Sequence, residues 1–178
     1  MENNDLIREA LSYSLGSDLH EAWRAPRKLD DGTFEPRMKK SKDEEWNKIH
    51  GTDEVDIANC AFEDLPSNWQ YENLEAAKVA IDLAYNKTMD GEEITPEELE
   101  QMGSVIHDEW LKRNNWVFDP NDGNPALAVP YEQLTPEEQD KDKVQIGAAQ
   151  AKVQAYMNGM INIDDLCEQY GITSSNQR

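Results

Sequence analysis

Two short segments of the chain share one pattern, a histidine followed three positions later by a tryptophan. Residues 19–24 read Leu-His-Glu-Ala-Trp-Arg, and residues 106–111 read Ile-His-Asp-Glu-Trp-Leu. Side chains three or four positions apart lie on the same side of an α-helix, so each histidine is predicted to lie beside its tryptophan. A pattern that occurs twice predicts two copies of one structural module.

Three further landmarks follow each copy in the same order. An aromatic-acid-proline triplet occupies residues 34–36 and again 118–120, and an aromatic-acid-x-leucine segment occupies residues 62–65 and again 131–134. A polar-to-apolar helical run then follows each of them. The distance between the first two landmarks is 28 positions in the first copy and 13 in the second, which indicates an inserted loop in the first copy.

Apolar periodicity and capping signals predict a mainly α-helical protein. Thr95 and Thr135 each precede a Pro-Glu-Glu sequence, the pattern of a capped helix start. Gly16 is predicted to break the first helix, and Pro26 to close the next. The predicted helices cover residues 5–13, 17–25, 66–85, 96–114, 136–158 and 163–170.

The remaining segments are predicted to be loops. Residues 28–54 are polar, and Asp31-Gly32 is typical of a turn between two short strands. Residues 86–93 are predicted to form a linker with a turn at Met89-Asp90-Gly91. The polar tail at residues 173–178 is predicted to be frayed.

Composition excludes several classes of function. The chain has 37 acidic and 17 basic residues, a net charge of -20, which disfavours direct nucleic-acid binding and anionic membranes. The acidity is consistent with simple solubility and also with attraction to a basic protein partner, including mimicry of a nucleic acid. No apolar run approaches the ~20 residues of a membrane span, and no signal-peptide core is evident, so a cytoplasmic protein is expected.

Catalytic and metal-binding patterns are not recognisable. Cys60 and Cys167 suit neither a disulfide framework nor a metal site, and the histidines have no nucleophile or acid partner at a recognisable spacing. His20 and His107 are consistent with structural hydrogen bonds to the following loop and also with ligand contacts. We therefore expect no enzyme activity, no metal and no cofactor.

Aromatic and basic side chains are the main candidates for binding. The aromatic residues are consistent with repeat cores and also with a cleft in which a ring stacks on a planar ligand. A basic cluster around the first-copy loop is consistent with an anion site and also with charge balance on an acidic chain. The candidate ligand-binding residues are His20, Trp23, Arg24, Arg27, Phe34, Arg37, His107, Trp110, Trp116, Phe118 and Tyr131.

These motifs together resemble the ryanodine-receptor repeat, or RyR domain. Residues 106–110 are similar to the helix of that family with its His-Glu-x-Trp core, and residues 115–118 to its segment around a Trp-x-Tyr motif. Residues 125–134 resemble its loop into the second helix, and residues 139–143 the charged start of that helix. In the first copy, residues 19–23 and 71–74 carry the likeness. The resemblance covers most of residues 17–157.

The resemblance implies two tandem pseudo-twofold repeats, each with two long antiparallel helices joined by an irregular loop with short β pieces. The first repeat would cover residues 1–90, with an N-terminal helix and a long inserted loop. The second would cover residues 91–178, with a short C-terminal helix. Such a protein is expected to be a monomer or homo-oligomer.

The function that the resemblance implies is binding without catalysis. The preferred hypothesis is a sensor or sequestering protein of bacterial or phage type that captures a small nucleotide-derived ligand, in defence or counter-defence. The alternative is an acidic interaction module or inhibitor that binds a basic partner surface.

Overall fold

The computed structural model describes residues 4–173 and is mainly α-helical, as predicted, with short β pieces. The predicted tail at 173–178 lies outside the described residues except for Thr173. The described chain contains α-helices α1 (Asn4–Arg24), α2 (Glu44–His50), α3 (Ser67–Met89), α4 (Pro96–Arg113), α5 (Pro136–Met157) and α6 (Ile163–Tyr170), and strands β1 (Met38–Lys40) and β2 (Glu54–Asp56).

Helix α1 runs without interruption through Gly16, so the predicted break there is wrong. A glycine inside a helix costs about 1 kcal/mol relative to alanine, but it lets another backbone approach closely. A Cβ placed on Gly16 would lie 3.5 Å from the carbonyl oxygen of Asn73 in α3. The glycine therefore lies at a helix–helix contact instead of at a helix end. Pro26 follows the end of α1 within a 3-10 turn, Ala25–Arg27, in agreement with the prediction.

The polar segment that follows contains more structure than a turn. The turn around Gly32 is closed by an isolated bridge between Lys28 and Phe34, and no strand pair forms directly beside it. The strand pair lies further along, where β1 and β2 are antiparallel with Lys39 opposite Val55. Helix α2 lies between these strands and was not predicted.

The predicted helix starts at Thr95 and Thr135 are present. Thr95 accepts a hydrogen bond from the backbone of Glu98, whose side chain accepts from the Thr95 N–H, which completes the capping box. Thr135 accepts in the same way from the backbone of Glu138. Helix α4 packs antiparallel to α5, and the Glu100 carboxylate pairs with Lys143.

The chain folds into two compact units. One comprises Met1–Ser12 with Ala76–Arg178, and the other comprises Tyr13–Glu75, so both boundaries fall within helices α1 and α3. These units are defined by packing, whereas the predicted repeats 1–90 and 91–178 are defined by sequence order, and the repeat boundary stays a prediction.

Each unit has its own core. In the larger unit, the buried residues of α3, α4 and α5 include Ala77, Ala80, Ile81, Ala84, Ile106, Ile146 and Ala149. In the smaller unit, Leu15, Val55, Phe62 and Leu65 are buried. Complete burial of a side chain as large as Phe62 contributes about 2–3 kcal/mol to the stability of its unit.

Candidate functional site

His20 joins the end of α1 to the loop before the buried Phe62. It is 3% exposed, and its Nε2–H donates a hydrogen bond of 2.7 Å to the carbonyl oxygen of Cys60. Its ring stacks with that of Trp23, with centroids 5.8 Å apart. The carbonyl can only accept, so the bond places a proton on Nε2.

His107 makes the same set of contacts in the other unit. It is also 3% exposed, and its Nε2–H donates over 2.7 Å to the carbonyl oxygen of Val129. Its ring stacks with Trp110 at 6.0 Å. Cys60 and Val129 each lie two positions before a buried aromatic residue, so both histidines serve the same local architecture.

Two glutamines also occupy equivalent positions in the two units, and they were not identified from the sequence. Gln70 donates from Nε2 to the carbonyl oxygen of Phe62 over 3.1 Å, and Gln139 donates to that of Tyr131 over 2.9 Å. Each glutamine lies eight positions after its aromatic residue. This equal spacing was a signal that could have identified them.

Arg24 is a largely buried cation of the first-copy cluster. Its side chain is 12% exposed, and its guanidinium lies 4.0 Å from the centre of the Phe34 ring. It pairs with Glu21 at 3.1 Å and donates to the carbonyl oxygen of Cys60. Its buried Nε has no hydrogen-bond partner among the described residues.

Arg27 repeats this arrangement one turn further on. Its guanidinium lies 4.5 Å from the centre of the Trp23 ring, which is 36% exposed. Phe34 is held in place by Asn59, whose amide accepts from the Phe34 N–H and donates to its carbonyl oxygen, both at 2.9 Å. The segment thus presents two guanidinium groups against two fixed aromatic rings.

Arg37 and Lys39 extend the positive charge along β1. They are two positions apart, so they lie on the same face of the strand. The Lys39 ammonium lies 5.6 Å from the centre of the Trp69 ring, and Trp69 donates from its indole to the carbonyl oxygen of Lys40. Burial, and then the nearby charge of Arg37, lower the pKa of Lys39. Two like charges are therefore held close together.

We name residues 24–42 the basic segment. It holds seven of the chain's 17 basic residues against three acidic ones, a net charge of +4 in a chain of -20. Only two of its cations form ion pairs with described residues, Arg24 with Glu21 and Lys40 with Asp53 and Glu54. The cations without such a pair in the described part of the chain are Arg27, Lys28, Arg37, Lys39 and Lys42.

The second copy presents two exposed aromatic side chains just after the last turn of α4, which carries Lys112 and Arg113. Trp116 is 51% exposed and Phe118 is 55% exposed. The Trp116 ring meets that of Trp110 edge-on at 6.5 Å, and its indole donates to the side chain of Asn114. The two exposed rings lie in a short 3-10 helix, Asn115–Phe118, directly after α4.

The loop after these rings is fixed by its own hydrogen bonds. Asp119 accepts from the backbone of Asn121 and Asp122, and its carbonyl oxygen accepts from Gly123 over 2.9 Å. A Cβ on Gly123 would lie only 2.3 Å from the carbonyl oxygen of Val117, so glycine is required there. The backbone directly after the exposed rings is therefore held by local hydrogen bonds.

Tyr131 is part of the core and is 3% exposed. Its hydroxyl donates to the Glu100 carboxylate over 2.8 Å, and its ring packs against Gly103 of α4. Burial, followed by this hydrogen bond, raises the pKa of Tyr131. Nearby, burial is the main cause that raises the pKa of Asp142 to about 6.

The predicted site residues therefore fall into two groups, one in each compact unit. His20, Trp23, Arg24, Arg27, Phe34 and Arg37 lie in Tyr13–Glu75, and the five second-copy residues lie in the larger unit. Two clefts of about 290 Å³ lie in the larger unit, and neither is lined by a predicted site residue. The described residues contain no group of three or more His, Cys, Asp or Glu that could hold a metal ion.

Comparisons with protein-family models, curated proteins and solved structures returned no match. The resemblance to the RyR domain therefore rests on the quoted motifs and remains a hypothesis. None of the helices in residues 4–173 has the length and apolar character needed to cross a membrane.

Proposed function

We propose that the chain is a non-enzymatic, RyR-like binding protein that captures a small anionic ligand derived from a nucleotide at the basic segment. The observation that supports this is the concentration, beside half-buried and partly exposed aromatic rings, of cations that have no ion pair with a described carboxylate. On a chain with 37 acidic residues, such cations are otherwise expected to find carboxylates. Positive charge kept free of carboxylates in one place is suited to an external anion.

The chemistry of the segment favours a ligand with both a phosphate and a planar ring. A guanidinium can donate two parallel hydrogen bonds to a phosphate, and Arg27 and Arg37 are free of ion pairs with described residues. Stacking of a base on an aromatic side chain contributes about 1–3 kcal/mol. The Trp23 ring in the same segment is partly exposed and is covered by the Arg27 guanidinium, so a base would stack on that guanidinium or displace it from the ring.

The charge of the whole chain favours a small ligand over a nucleic acid. A polymer would place many phosphates against a surface of net charge -20, whereas a nucleotide meets only the local charge of +4. At physiological ionic strength, charges more than about 8 Å away are largely screened. A compact anion can therefore bind the segment without much repulsion from the rest of the molecule.

Thermal denaturation against a panel of mono-, di- and cyclic nucleotides tests the proposal. A ligand present at 100 times its dissociation constant stabilises the folded state by about 2.7 kcal/mol, which raises Tm by roughly 5–10 °C at this chain length. The double variant Arg27→Gln/Arg37→Gln is expected to bind at least about tenfold more weakly, because each charged hydrogen bond contributes 1.5 kcal/mol or more.

The control is Lys48→Gln/Lys112→Gln, which removes the same charge from exposed positions outside the basic segment. It should respond to the ligand as the wild type does. The proposal fails if no nucleotide shifts Tm, or if both double variants lose the shift equally.

A second candidate function is an acidic protein-interaction module that binds a basic partner, and the second-copy loop favours it. Trp116 and Phe118 are each more than half exposed on a loop that is already ordered, so little entropy is lost when they are buried. Tryptophan is among the residues most often found at interaction hot spots. If a partner protein binds through this loop, Trp116→Ala will weaken the binding of that partner, and the basic-segment variants will leave it unchanged.

A further inference from the structure

A polar cleft of about 290 Å³ lies in the larger unit, between the end of α3 and the C-terminal half of α5. It is separate from every residue of the proposed ligand site, because all of its lining residues belong to Ala76–Arg178. The residues that matter for its chemistry are Thr88, Glu92, Glu93, Ile94, Gln150 and Gln154.

One wall of the cleft is held by the cap that ends α3. The Gly91 N–H donates to the carbonyl oxygen of Thr88, and the Glu92 N–H donates to that of Lys87. These two bonds define a Schellman motif, which requires a left-handed residue such as Gly91, at φ +72°. The backbone that carries Glu92 is therefore held in place by the helix cap.

Thr88 has a buried hydroxyl group with no hydrogen-bond partner among the described residues. The residue is 5% exposed. Buried hydroxyl groups are nearly always paired, because loss of water without a replacement partner is unfavourable. Thr88 lines the cleft, so a ligand atom there could complete its hydrogen bonding.

The other lining groups define the charge of that ligand. Both charged residues of the lining are acidic; Glu92 shares Lys87 with Glu98, and Glu93 has no ion pair with a described residue. Gln150 and Gln154 lie one helical turn apart on α5 and offer amide oxygens, and Ile94 provides an apolar wall. We propose that the cleft binds a small organic cation of the alkylguanidinium or alkylammonium class.

Titration with butylguanidinium, followed by NMR at the amides of Gly91, Gln150 and Gln154, tests this. The neutral isostere butylurea has the same shape and serves as the matched probe. In 150 mM salt, we expect butylurea to bind at least about tenfold more weakly, because it lacks the charge that strengthens each hydrogen bond.

Thr88→Val distinguishes a built site from general attraction to an acidic surface, because it removes the hydroxyl and leaves the net charge unchanged. It should weaken butylguanidinium binding at least about threefold, while Thr88→Ser, which retains the hydroxyl, should bind as the wild type. Glu93→Gln should weaken binding about tenfold. Glu97→Gln, at an exposed position outside the cleft, should not.

The inference is overturned if butylguanidinium produces no shifts at the cleft, if butylurea binds equally well, or if Thr88→Val retains wild-type affinity. A urea melt of each variant shows whether it is folded. If Thr88→Val does not fold, Glu93→Gln compared with Glu97→Gln decides the question.

Discussion

The imidazole of His107 and the carbonyl oxygen of Val129 are joined by a hydrogen bond of 2.7 Å that ties helix α4 to the loop before Tyr131. His20 ties α1 to Cys60 in the same way and over the same distance. In both places the carbonyl lies two residues before a buried aromatic ring, and the imidazole stacks on a tryptophan one helical turn away. Burial and this shared geometry favour a structural role for the two histidines.

His107→Ala is expected to lower the free energy of unfolding by about 2–3 kcal/mol, because it leaves the Val129 carbonyl unpaired and removes the packed ring. Urea denaturation measures the loss. His50→Ala is the comparison: this histidine also stacks on a tryptophan, Trp46, and hydrogen-bonds its carbonyl oxygen, but it is exposed, so its replacement should cost less than about 1 kcal/mol. Equal effects at the two positions would contradict the structural role.

Replacement by alanine of two glycines inside helices is expected to change the stability of the protein in opposite directions. At Gly103 a Cβ would lie 2.9 Å from the Tyr131 hydroxyl oxygen, so Gly103→Ala should destabilise by about 1–3 kcal/mol. At Gly16 the nearest atom is 3.5 Å away, an ordinary contact, so Gly16→Ala should stabilise by about 0.5–1 kcal/mol through helix propensity. Paired thermal melts test this, and a stabilising Gly103→Ala would contradict the packing of Tyr131 on α4.

Asp142 predicts a specific dependence of stability on pH. Burial raises its pKa from 3.8 to about 6 in the folded chain, so the folded state holds this proton over a pH range in which the unfolded chain has lost it. The free energy of unfolding should therefore fall as pH rises from about 4 to about 6, and it should stay at the lower value above that range.

Asp142→Asn removes this cost. The carboxylate is only partly buried, so after discounting for solvent screening the variant should be more stable than wild type by roughly 1 kcal/mol at pH 7.5. At pH 4 the two should be equal. Asp108→Asn, at an exposed position, should show no such pH dependence, and a stability gain for Asp142→Asn at pH 4 as large as at pH 7.5 would contradict the assignment.

Local signals predicted the helices well, and contacts between distant residues explain most of the differences. The capping sequences at Thr95 and Thr135 determine their helix starts within one turn, so they could be identified directly. The break expected at Gly16 is absent because one glycine costs a helix only about 1 kcal/mol, and α1 packs there against Asn73, 57 positions away. Helix α2 had a local signal that was missed, the Asp43 side chain that accepts from the Trp46 N–H.

The types of residue in the candidate site could be predicted from the sequence, but the contacts between them could not. The basic character of residues 24–42 is visible in the sequence, and so is the aromatic residue at each landmark. Lys39 contacts Trp69, 30 positions away, and Asn59 hydrogen-bonds Phe34, 25 positions away. Contacts between such distant residues can be read only from the folded chain. Gln70 and Gln139 share a spacing of eight residues from their aromatic landmarks, a signal in the sequence that was missed.

Native mass spectrometry of the protein purified from the cells that produce it is the sharpest test of ligand capture at the basic segment. If the segment captures a ligand, the wild type and Lys48→Gln/Lys112→Gln will carry the same small anionic ligand, and Arg27→Gln/Arg37→Gln, purified in parallel and equally folded, will not. A wild-type protein with no bound ligand, or an Arg27→Gln/Arg37→Gln variant that retains the ligand in full, would contradict capture at the basic segment.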